Sequence, residues 1–122
     1  MPKLPSPLGV AIELAVEARF IRHCDPVQYL ATFRTSKGTV FAMERVTQGH
    51  INLWLPEQDE VRREAERAGL SIERTVAWAN GRAAPYGRIS SLKTIPMLRD
   101  EPLFRVRVSG VDDALKVLEK LS

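Results

Sequence analysis

From Leu8 to Ile21 the apolar positions recur at helical spacing. Leu8, Ala11, Ile12 and Ala15 share one side with Arg19, and Val10, Leu14, Ala18 and Ile21 widen it, while Glu13 and Glu17 mark the wet side. Ser6-Pro7 supplies an N-cap followed by proline at the first helical position. The pattern predicts a helix that runs to about His23, where Asp25-Pro26 breaks it.

The period then changes. Tyr29, Ala31 and Phe33 alternate with Leu30, Thr32 and Arg34, which suits a strand. Asp25-Pro26 could equally cap a short helix through Leu30, and the residues leave both readings open. Ser36-Lys37-Gly38 is a hairpin turn with Gly38 where a positive φ is wanted. Thr39–Val46 is rich in β-formers. A second turn at Gln48-Gly49 leads to a strand with Ile51, Leu53 and Leu55 on one face. These pieces predict an antiparallel meander.

Pro56 opens a strongly marked helix, with Glu57, Asp59 and Glu60 in its first turn, Arg62, Arg63 and Arg67 later, and Gly69 as the stop. Val61, Ala65 and Ala68 are its inward positions. Ser71–Trp78 returns as a strand, with Ile72, Val76 and Trp78 expected on the face of Arg74. Asn80–Ser90 carries Asn80-Gly81, Pro85 and Gly87 and is a loop. Ser90 or Ser91 caps a short helix through about Arg99, interrupted by Pro96. Leu103–Val108 is the last strand, and Ser109 with Asp112 resembles a capping box ahead of a helix that buries Val111, Leu115, Leu118 and Leu121.

Hairpin-linked strands with helices at the ends predict an α+β fold, a mostly antiparallel sheet of about five strands with helices packed on one face. The 122 residues fit a single compact domain spanning 1–122, with 1–7 as a flexible N-terminal segment. The expected core includes Ile12, Phe41, Leu53, Val61, Val76, Phe104, Leu115 and Leu118.

Composition narrows the class. With 44% hydrophobic residues, a core forms without disulfides or metals. The single cysteine, Cys24, excludes an internal bridge and points to a reducing, cytoplasmic setting. Glu13 and Glu17 interrupt the first apolar stretch, so it reads neither as a leader nor as a membrane span. Eighteen Lys+Arg against 15 Asp+Glu give a net charge of +3, too mild to define a partner by itself. Its distribution says more: from Arg74 to Arg99 there are five basic residues and no acidic one, whereas Glu57 to Glu66 holds five acids with only Arg62 and Arg63.

The familiar catalytic and metal constellations do not assemble. His23-Cys24-Asp25 places neighbours about 100° apart on a helix, so they do not face one another as nucleophile and base. Two histidines and one cysteine do not make a closed zinc site. Glu44, Glu57 and Asp59 near strand ends could converge on magnesium, but Glu44 on a solvent-facing strand position is the commoner arrangement. No glycine-rich phosphate or dinucleotide motif is present, so no cofactor, no metal ligand and no catalytic residue is assigned.

What remains is the acid-free segment. Trp78, Arg82, Tyr86 and Arg88 interleave rings with guanidinium groups, which grip phosphate and offer stacking surfaces. Ser90 and Ser91 at a helix start, with Lys93 in the first turn, add a place for an anion, and Arg105 and Arg107 on the last strand extend the surface. The sequence-level expectation is a small nucleic-acid-binding or accessory module that contacts a phosphate backbone through Arg82, Tyr86, Arg88, Ser90, Ser91, Lys93, Arg105 and Arg107. The alternative is a protein-interaction module, an inhibitor or subunit, whose same arginines meet an acidic partner; third comes an enzyme for a small phosphorylated substrate. The bland reading, a solvated loop with Trp78 in the core and Arg105 and Arg107 in surface ion pairs, stands beside all three.

Overall fold

The computed structural model describes residues 4–78, 88 and 90–122. In chain order the elements are α1 (Pro7–Glu17), β1 (Ile21–Arg22), β2 (Leu30–Arg34), β3 (Val40–Glu44), β4 (Ile51–Pro56), α2 (Asp59–Arg67), β5 (Ser71–Thr75), a 3₁₀ turn (Ser90–Thr94), α3 (Pro96–Arg99), β6 (Leu103–Val108) and α4 (Val111–Leu118). The six strands form one sheet in the order β1-β2-β3-β4-β6-β5, with every neighbouring pair antiparallel. This is the α+β domain expected from the pattern, with six strands rather than about five.

Alternation divides the sheet into two faces. Ala31, Phe33, Phe41, Met43, Ile51, Leu53, Leu55, Phe104, Val106 and Val108 point to the first face. There they pack with Ile12 and Val16 of α1, Val61 and Ala65 of α2, and Ala114, Leu115, Val117 and Leu118 of α4. Aromatic contacts tie the β1 edge to this core. Phe20 meets Phe41 edge-on at 5.1 Å, and Phe33 stacks on Phe41 at 5.9 Å. The second face is also covered over part of its area. Leu92 and Leu98, helped by Ile95 and Trp78, close over Leu30, Val40, Ala42, Trp54 and Leu103.

The turn signals behave as expected at Gly38 and Gly49, whose φ values are +91° and +81°. Ser6 caps α1, its hydroxyl accepting from Gly9 N at 2.9 Å, and its own amide donates to Arg45 O at 2.8 Å. Ser6 and Pro7 thus belong to the fold rather than to a flexible tail.

Other expectations are corrected. α1 stops at Glu17 instead of near His23, because Ile21 and Arg22 pair with Arg34 and Phe33 as an edge strand. Leu30–Arg34 is strand, which settles the open choice there. Pro56 ends β4 opposite Leu103, so α2 begins only at Asp59, with Gln58 at its N-cap, and Ala68 is exposed. β5 ends at Thr75; Val76 is therefore outside the strand and 67% exposed, not core. The capping box at Ser109 does not form: Gly110 is the N-cap of α4 and no side chain caps it.

Glu13 is the sharpest correction on α1. Expected on the wet side, it is buried and bridges two arginines, Arg45 Nε at 2.7 Å and Arg22 Nη2 at 3.1 Å. Arg22 also lies over the Phe33 ring at 4.8 Å, and Arg45 Nη1 donates to Val27 O at 2.8 Å. Among the described residues no helix is long and apolar enough to cross a membrane.

Candidate functional site

The acid-free segment leaves the sheet at the end of β5 and re-enters before β6. Trp78 N donates to Arg99 O at 2.9 Å, which fixes the outgoing chain to the end of α3. The returning chain is fixed by Arg88. Its Nε donates to Thr75 Oγ1 at 3.0 Å; its Nη1 donates to Leu98 O at 3.0 Å and Arg99 O at 3.3 Å. Its Nη2 donates to Thr75 O at 3.4 Å and, in a short contact, to Glu101 O. A guanidinium has five N–H donors, and here all five are engaged by one hydroxyl and four peptide carbonyls. Two of those carbonyls lie at the C-terminal end of α3, where cationic side chains are favoured. Burial pushes the Arg88 guanidinium below its ordinary pKa, since no carboxylate compensates the charge among the described residues.

Arg88 therefore faces inward, contrary to the expectation that it grips phosphate. Its neighbours in the basic block are also engaged. Arg74 makes a two-point contact with Glu57 at 2.9 Å for each nitrogen, which raises its pKa through hydrogen bonding and then charge. Arg99 pairs with Asp100 at 2.8 Å and 3.1 Å; the hydrogen bond holds the Asp100 carboxyl below the usual carboxylate range. Arg105 reaches Glu73 across the β5–β6 pair at 2.7 Å.

Ser90 and Ser91 open a 3₁₀ turn of five residues rather than an α-helix, so the expected helix-terminal anion site has too little aligned backbone behind it. Lys93 on that turn is exposed. Arg107 is exposed on the second face, without an ion pair among the described residues. Arg82 and Tyr86 lie outside the described residues. The structure thus brings together Arg88 and the ends of the segment. It does not join Lys93, Arg105 and Arg107 into one continuous unpaired surface.

The carboxylates considered for magnesium do not converge. Glu57 is taken by Arg74 and Asp59 by Arg62, and among the described residues no group of three or more His, Cys, Asp or Glu could hold a metal ion. Cys24 is exposed with its Sγ 2.8 Å from Thr32 Oγ1; the His23 Nδ1 is buried without a hydrogen bond.

Glu44 is buried, not solvent-facing, and its Oε2 accepts from Trp54 Nε1 at 2.9 Å. Its place beyond Val40 and Ala42 on the same strand face was the available signal, a charge continuing an apolar row. Comparison with protein-family models, curated proteins and solved structures returned no match, so the functional reading rests on these residues and their geometry.

Proposed function

We propose that this domain is a protein-interaction module that meets an acidic partner surface through residues 79–87, with Arg82 and Tyr86 as its principal contacts. The observation supporting this reading is the Arg88 clamp. Together with the Trp78–Arg99 backbone bond, it holds both ends of the segment against the same corner of the sheet, where β5 ends and β6 begins. A segment held at both ends loses less freedom on binding than a free tail. Its composition suits the role: Arg82 and Tyr86 stand among alanines and glycines, and arginine and tyrosine are two of the residue types that dominate binding hot spots.

The same geometry weakens the nucleic-acid reading. Arg88 is internal, and Arg74, Arg99 and Arg105 already have carboxylates. Lys93, Arg107 and Arg82 would leave about three phosphate contacts, and a salt slope of roughly −2.7 on duplex DNA at about −0.9 per contact. The test is the double substitution Arg82→Ala with Tyr86→Ala in tagged full-length protein purified from cells. A specific acidic partner should co-purify with the parent chain and be lost from the variant, with the melting temperature unchanged. Retention of every partner by the variant contradicts the reading.

A further inference from the structure

Among the described residues, buried carboxylates are matched with arginine, with one exception. Glu13 bridges Arg22 and Arg45, and Glu64 pairs with Arg67 at 3.0 Å. Glu44 is just as buried, at 8% exposure, and receives only the neutral Trp54 Nε1–H. No cationic side chain reaches it among the described residues.

An unmet acceptor lies beside it. β3 and β4 pair Ala42 with Trp54 and Met43 with Leu53; one step further, the same register sets Glu44 beside Asn52. Asn52 Oδ1 is buried and accepts no hydrogen bond. On its other side Asn52 pairs with Arg107 of β6. The second face therefore carries a row of Glu44, Asn52 and Arg107, in which, among the described residues, the buried carboxylate lacks a cation, the Asn52 amide oxygen lacks a donor and the exposed guanidinium lacks an acid.

The geometry points to a seat for a primary ammonium group, formed by Glu44 and Asn52. An ammonium is a compact donor that can serve a carboxylate oxygen and an amide oxygen at once. A guanidinium fits less well: its two-point grip needs both carboxylate oxygens, and Trp54 already holds Oε2. A divalent metal would need more oxygen ligands than one carboxylate and one amide supply. Arg107 stands two strands from Glu44, about 10 Å at ordinary strand spacing, so a ligand that carries an anion as well as the ammonium gains a second contact there. The ammonium could belong to a free zwitterion of amino-acid type or to a lysine side chain of a polypeptide.

The experiment is an NMR titration of the full chain, reading the Trp54 indole N–H, which is bonded to Glu44. The probes are n-butylamine, γ-aminobutyrate and N-acetyl-lysine amide, the first and last having no carboxylate. Saturable shifts of the Trp54 indole signal are expected, weakened at least tenfold by Glu44→Gln and by Asn52→Leu. Gln retains an acceptor for Trp54, so Glu44→Gln should fold; with its uncompensated charge gone, it should also melt higher than the parent without ligand. Arg107→Ala separates the sources. A free zwitterion loses affinity severalfold in that variant, whereas a lysine side chain does not.

No shift with any probe at millimolar concentration overturns the proposal. So does a lowered melting temperature in both Glu44→Gln and Arg107→Ala with non-additive losses, because that pattern means Arg107 itself closes over Glu44.

Discussion

Arg88 Nε donates to Thr75 Oγ1 at 3.0 Å, and that hydroxyl donates onward to Leu103 O at 3.0 Å. Thr75 and Leu103 face each other across β5 and β6, so the guanidinium is tied into the last pair of the sheet. Arg88→Met keeps the length of the stem but leaves a hydroxyl and several buried carbonyls without donors. Each unmet group costs about 1–3 kcal/mol, so a net loss on the order of 3 kcal/mol and 10 °C in melting temperature is expected by calorimetry. Arg88→Lys should recover less than half, since an ammonium cannot meet five acceptors in a plane.

The pH dependence of that loss follows from the sign of the shift. Burial lowers the Arg88 pKa, so the folded state releases this proton more readily than the unfolded chain. The penalty on the charged form is therefore present throughout the neutral range and is relieved only as pH rises through the folded value in strongly alkaline solution. Denaturation curves of parent and Arg88→Met should differ by the same free energy at every pH from about 5 to 9. A difference that changes steeply in that window would point to another titrating group.

Glu13 joins α1 to two distant pieces of chain through Arg22 and Arg45. Glu13→Ala strands two largely covered guanidinium groups and should cost about 2–4 kcal/mol by denaturant titration. Hydrogen exchange should quicken first at His23 N, which donates to Thr32 O beside the short β1 pairing. Uniform acceleration across the sheet would show instead that the bridge stabilises the whole domain as one unit.

Gly9 sits in α1 where alanine would ordinarily gain about 1 kcal/mol of helix propensity. Here an added Cβ would collide with Arg45 O and crowd Ser6 Oγ, the N-cap acceptor. Gly9→Ala is thus expected to lower stability by about 1–3 kcal/mol, the reverse of the propensity effect. A melting temperature equal to or above the parent's would contradict this packing.

The first face of the sheet was legible because its signal is local and periodic. Ile51, Leu53 and Leu55, and Phe104, Val106 and Val108, alternate cleanly and all point into the same core. Ser6-Pro7, Gly38 and Gly49 announced their cap and turns for equally local reasons. What escaped depends on distant partners. The end of α1 is set by pairing with β2, not by a breaker, and Glu13 is inside because Arg45, 32 residues away, comes to meet it. Arg88 looked like a loop cation because its acceptors are peptide carbonyls, which any residue possesses and no residue type reveals. Val76 followed the alternation of β5 one step beyond where the strand stops.

The surface arginines provide a control on the nucleic-acid alternative. Fluorescence titration with duplex DNA and single-stranded RNA at ~50 mM salt should show no saturable binding. Arg105→Ala should leave that result unchanged, because Arg105 is engaged by Glu73. Tight binding with a log–log salt slope of about −3 or steeper would restore the phosphate-backbone reading.

The most direct measurement is photo-crosslinking with a photoreactive residue at position 82 or 86, compared with one at position 62 on α2, where Arg62 stands between Asp59 and Glu66. In cells expressing the full chain, the account predicts a discrete acidic protein adduct from positions 82 and 86 and none from position 62. Nucleic-acid adducts at position 82, or the same proteins captured equally from all three positions, would contradict it.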